Sequence, residues 1–152
     1  MHFNGILRDR NVIAWLLLVS TVGLHVLDES ITGFLPFYND LVMTLRERLG
    51  FFPAPTFSFG IWLGGLVIGI LLCFGLMIFV ARGGRCIRWI ATLLGVLMLF
   101  NALGHLIGSL YFGKVLPGMW SSPLLLMSSL FMILQGFRGD WRVRRILPGG
   151  GT

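Results

Sequence analysis

Residues 11–35 read NVIAWLLLVSTVGLHVLDESITGFL, and this stretch decides the fold. No Asp, Glu, Lys or Arg interrupts it before Asp28. At 1.5 Å per residue, a helix of this length crosses the roughly 30 Å of hydrocarbon in a bilayer. Three further apolar runs follow, at about 57–81, 87–112 and 119–137. The 152 residues are 56% hydrophobic and only 12% charged, with a mean hydropathy of +0.87, which excludes an ordinary soluble domain. Backbone polar groups inside lipid must be satisfied within the protein, and none of the runs alternates as a barrel strand does. The expectation is an all-α membrane protein, a single domain over 1–152 with four transmembrane helices. The first run is read as a retained span, because a charged cluster follows it where a signal peptide would carry a cleavage site.

Orientation follows from the basic residues. With the N-terminus inside, the cytoplasmic side receives Arg8, Arg10, Arg82, Arg85, Arg88, Arg138, Arg142, Arg144 and Arg145, and the outer side only Arg46, Arg48 and Lys114. That asymmetry predicts an N-in, C-in protein of the inner (plasma) membrane of a bacterium, with a basic tail over 138–152. Trp15, Trp89 and Trp141 fall at the expected inner boundary, and Trp62 and Trp120 at the outer one, as an aromatic belt. The net charge of +6 then sets topology and meets anionic headgroups, so nucleic acid is not an expected partner. Cys73 and Cys86 lie too far apart along the chain's helices to pair.

The longest loop, about 36–56, carries Leu41, Val42, Leu45 and Leu49 as an apolar stripe with Arg46, Glu47 and Arg48 largely opposite. This predicts a short amphipathic segment in the outer interface. Gly60/Gly64 and Gly65/Gly69 are small-xxx-small pairs that mark helix–helix contacts, and Gly104 and Gly108 flank a histidine where a neighbouring helix would come close. Arg82-Gly83-Gly84-Arg85 reads as a tight turn. A faint repeat relates His25, Gly33 and Pro36 to His105, Gly113 and Pro117.

Two polar constellations interrupt the apolar spans: His25-Val26-Leu27-Asp28-Glu29 and Asn101-Ala102-Leu103-Gly104-His105. Ionisable groups are costly in lipid and mark a partner, a cavity or an ion. His25, Asp28 and Glu29 stand at i, i+3 and i+4; Asn101 and His105 stand at i and i+4. Counted from the cytoplasmic ends of their spans, His25, Asn101, His105 and Glu29 lie about 21, 18, 24 and 27 Å deep. They share one outer layer, and the two faces are expected to converge. Two imidazoles with one or two carboxylates make a donor set for zinc, iron(II) or manganese. The expected ligands are His25, Glu29 and His105, with Asp28 and Asn101 secondary; Ser58, Ser121 and Ser122 would complete a polar wall. His2 reads as a solvated leader residue.

At these positions the chain resembles the HXXEE-motif family of small membrane proteins. The matching residues are His25 with Asp28-Glu29, Asn101 with His105, then Ser109, Tyr111 and Pro117-Gly118. Asp28 replaces the first glutamate of the family pattern, and Ala102 stands where the family often has glutamate. The gap from Tyr111 to Pro117 is also longer than usual. The resemblance implies a site, and the missing carboxylate favours one metal over two. The family is largely uncharacterised, so no substrate comes with it.

Two function classes stay open at this level. One is a membrane enzyme or metal protein acting on a lipid or other apolar molecule. The other is a non-catalytic accessory subunit whose glycine faces pack within a larger membrane complex or a homo-oligomer. Metal-free proton transfer by Asp28 and Glu29 is a third.

Overall fold

The computed structural model describes residues 9–138 and 141. His2 and Arg8 of the leader, and Arg142, Arg144 and Arg145 of the expected basic tail, lie outside the described residues. The described chain is helical, in five helices: α1 (Arg10–Thr32), α2 (Phe34–Leu49), α3 (Phe59–Arg82), α4 (Arg85–Phe112) and α5 (Ser122–Arg138). Three of them, α1, α3 and α4, are long and apolar enough to cross a membrane. The fourth expected span is shorter than the sequence suggested. Residues 117–121 form turns, which leaves α5 with 17 residues, about 26 Å of helix.

Local chemistry fixes the ends. Asp9 caps α1, its carboxylate accepting from the Asn11 N–H at 2.9 Å. Gly33, at φ 83°, closes α1 in the left-handed region, and α2 starts at the next residue. Pro36 therefore does not follow the end of α1 as a loop residue. It sits in the first turn of α2, where its missing N–H costs nothing. The amphipathic segment is accordingly longer than expected. Val42 of its stripe is buried together with Leu35, whereas Leu41 and Leu49 face outward. Asn39 ties α2 to the return loop through a reciprocal pair of bonds with the Phe57 backbone, and Arg46 donates to the carbonyls of Phe52 and Ala54.

The buried face of α1 runs through Val12, Trp15, Leu18, Val19, His25, Val26 and Glu29, the stripe that a 3.6-residue period produces. Leu17, Leu24, Leu27 and Ile31 point outward. The helix α5 packs most extensively on α4 and next on α1, while α1 and α4 meet only over a short stretch. Small residues permit this. Ser128 and Ser129 of α5 are buried, and the Thr21 and Ser128 hydroxyls lie 2.6 Å apart across α1 and α5. Gly95 of α4 faces Ile133 and Met132, and Gly136 of α5 lies directly against Thr92. We expect Gly136→Ala to overpack this crossing and destabilise the protein by about 1–3 kcal/mol. Thermal unfolding in detergent reads this, and an unchanged midpoint would show that the crossing is looser than described.

The glycines of α3 behave differently. A Cβ added at Gly60, Gly64, Gly65 or Gly69 would meet nothing within 4 Å, and no residue of Phe59–Gly75 is buried. Any close contact these glycines serve therefore lies outside the described residues. Gly104 is likewise open, and Gly108 meets Leu116 of the following loop in place of a neighbouring helix. Two tryptophans also depart from the belt. Trp15 is fully buried and donates its indole N–H to the Cys73 carbonyl, one turn before α3 is interrupted at Leu76. Trp141 is buried and donates to the Gln135 carbonyl. A buried indole needs an acceptor, and each has found a backbone carbonyl. Trp89 and Trp120 remain exposed, as a belt requires.

Candidate metal centre

His25 and Glu29 project from the last two turns of α1, four residues apart and on its buried face. His105 projects from the C-terminal half of α4, eight residues before that helix ends at Gly113 in the left-handed region. His25 stands at the same distance before Gly33, so the faint repeat is visible as two helices that close in one way after a histidine. Pro36 and Pro117 do not correspond: one opens a helix and the other lies in a turn.

The two faces converge as expected. Nε2 of His105 lies 3.0 Å from Oε1 of Glu29, and Nε2 of His25 lies 3.4 Å from the same oxygen. The imidazole rings meet edge to face, with centroids 4.8 Å apart. One donor atom from each of the three residues lies within 4.8 Å of the others, and all three residues are buried. Donors held about 2.1 Å from a common ion stand about 3.0 Å apart in octahedral and about 3.4 Å apart in tetrahedral geometry. The two edges, 3.0 and 3.4 Å, fall in the range spanned by those values.

The polar accounting points the same way. Nε2 of His25 is buried without a hydrogen-bond partner, and the neighbours of the buried Oε1 of Glu29 are the two imidazole nitrogens at 3.0 and 3.4 Å. Among the described residues, no lysine or arginine pairs with Glu29. A buried carboxylate without a counter-charge is costly, and a cation shared with the two imidazoles would satisfy all three groups. The residues thus fit a divalent metal.

Around this group the walls are specific. The Gly118 backbone, at φ 82°, lies so close that a Cβ there would stand 2.9 Å from the His105 ring and 3.0 Å from Cγ of Glu29. Its N–H donates to the Thr32 hydroxyl at 3.2 Å, and its carbonyl accepts from Ser122 at 2.7 Å. The Phe34 ring covers His105, centroid to centroid 5.5 Å. Ser109 accepts from the Leu116 N–H and so holds the loop that carries Gly118.

Asp28 is not part of the three-residue group. Its Oδ2 accepts from both the backbone N–H of Ser121, at 2.9 Å, and the Ser121 hydroxyl, at 2.7 Å. Asn101 has a buried Oδ1 with no hydrogen-bond partner, one helical turn before His105. Ser121 and Ser122 line the site as expected, whereas Ser58 is an exposed residue at the start of α3. Reading helix faces alone missed Gly118 and Phe34. The only signal for the first was the Pro117-Gly118 pair; nothing marked Phe34.

A protein-family model described as "Protein of unknown function with HXXEE motif" matches residues 15–133. None of the curated proteins or solved structures matches the chain.

Proposed function

The chain belongs to the HXXEE-motif family, whose function is unknown, and from its own geometry we propose that it is a small membrane metalloprotein. One divalent transition metal (zinc, iron or manganese) is held by His25, Glu29 and His105. The observation that carries this reading is the convergence of three buried donor atoms with no lysine or arginine beside them among the described residues. A two-histidine, one-carboxylate set leaves coordination positions open, which suits a Lewis acid or a bound nucleophile. The substrate class is a lipid or another apolar molecule. Supporting this, a groove of about 300 Å³ beside the site is walled by Leu24, Leu27, Ile31 and Trp120, and Asp28 and Ser121 supply its polar end. Elemental analysis of purified protein tests the proposal. Wild type is expected to carry close to one metal per chain and His105→Ala none; a metal-free wild type that cannot be loaded removes it.

The proposal includes four spans with both termini cytoplasmic. Cys86 is exposed and serves as a built-in reporter. It is expected to react with an impermeant thiol reagent only from the inner side, and a Lys114→Cys substitution only from the outer side. Labelling of both from one side sinks the topology.

The accessory-subunit reading is favoured by a separate observation, the open glycine face of α3. It predicts no stoichiometric metal and co-purification with a larger membrane partner.

A further inference from the structure

The His-x-x-acid-Glu spacing puts one carboxylate on each side of the imidazole. At 100° per residue, Glu29 lies about 40° from His25 around the helix in one direction, and Asp28 about 60° in the other. One ring nitrogen of His25 faces Glu29 directly, and the other reaches Asp28 through Ser121. Nε2 faces Glu29, and Nδ1 lies 2.7 Å from the Ser121 hydroxyl, which in turn lies 2.7 Å from Oδ2 of Asp28.

Ser121 has one hydroxyl proton and three neighbours for it: Asp28 at 2.7 Å, His25 at 2.7 Å and the Gly118 carbonyl at 3.3 Å. An ionised carboxylate is acceptor-only and the strongest acceptor of the three. The same Asp28 oxygen is already aimed at Ser121 through the backbone N–H. The proton therefore goes to Asp28, and the short contact with His25 is a hydrogen bond only if Nδ1 carries the ring proton. That leaves Nε2 with a bare lone pair, turned toward Glu29 and His105.

We propose that Asp28 and Ser121 are positioning residues which lock His25 in the Nδ1–H tautomer, so that Nε2 is the atom offered to a metal. This rests on the metal reading above, and it gives Asp28 a role through Ser121 in place of the secondary ligand role that sequence suggested. A ligating histidine is commonly held in this way by an acceptor on its other nitrogen, and loss of such a partner lowers metal affinity about 10- to 100-fold.

The test uses full-length protein with 15N-labelled histidine, stripped of metal, in detergent or nanodiscs. His25→Ala identifies the His25 signals. Wild type is expected to show a protonated Nδ1 and a bare Nε2. Ser121→Ala is expected to shift His25 toward the other tautomer and to weaken zinc binding about 10- to 100-fold. Ser121→Thr, which keeps the hydroxyl, restores both. Should Ser121→Ala fail to fold, Asp28→Asn, with its weaker acceptor, is expected to reduce the same bias. A wild-type His25 protonated at Nε2 or at both nitrogens overturns the inference, as does a folded Ser121→Ala that leaves the tautomer unchanged. If wild type shows the expected tautomer but takes up no zinc, manganese or iron, the metal reading fails while the lock stands.

Discussion

Glu29→Gln is expected to abolish stoichiometric metal binding and, at the same time, to make the metal-free protein more stable. Oε1 of Glu29 lies within 3.4 Å of both Nε2 atoms, so it is the donor common to both edges of the group. Removing its charge is expected to lower affinity at least about 100-fold, which is ~2.7 kcal/mol. The opposite sign in the metal-free state follows from burial. Oε1 is buried with no lysine or arginine beside it among the described residues, and a neutral amide is cheaper to keep in that position by about 1–3 kcal/mol. Competitive titration against a chelator reads the first effect, and thermal unfolding of stripped protein the second. A stripped variant less stable than wild type would show that Glu29 is held by a protonated imidazole, and the argument for a metal would lose its main support. In wild type, metal binding is expected to weaken as pH falls, because protons compete for the imidazoles that the ion needs unprotonated.

Gly118→Ala is the second large effect, and Gly113→Ala is its control. Both glycines have positive φ, 82° and 62°, so alanine is strained at either by about 1–2 kcal/mol. Only at position 118 does the new methyl collide, at 2.9–3.0 Å from the His105 ring and Glu29. The His105 ring also contacts the His25 and Phe34 rings, with centroids 4.8 and 5.5 Å away, so a shift to make room disturbs both. Gly113→Ala, with nothing within 4 Å, is expected to lose stability but keep its metal. Gly118→Ala is expected to lose stability and at least tenfold in affinity as well. Equal affinities for the two variants would mean that the Gly118 backbone does not shape the site.

The donor set was legible because helix periodicity and helix depth are properties of sequence alone. His25 and Glu29 are neighbours on any α-helix, and two parallel helices of known start place His105 at their level. The amphipathic segment after α1 was legible in kind but not in length. Its start depends on Gly33 taking a left-handed conformation, which allows a new helix to begin at once. The aromatic belt was legible only in part. Whether a tryptophan faces lipid or the core depends on which carbonyl its indole meets, and for Trp15 that carbonyl belongs to another helix.

What the sequence by itself determined is the all-α class, the apolar spans and the three donors, all of which follow from composition and a fixed 100° step. What only the tertiary structure decided is which neighbours those residues acquire. It placed α5 between α1 and α4 through serines and Gly136, while the more conspicuous glycines of α3 touch nothing among the described residues. It brought Gly118 against His105 and carried Ser121 between Asp28 and His25, so that two adjacent carboxylates separate into one donor in the group and one support outside it. The contacts of Ser121 with Asp28 and His25 join residues 93 and 96 positions apart. No local period encodes them, because they depend on how helix surfaces fit once the chain has packed.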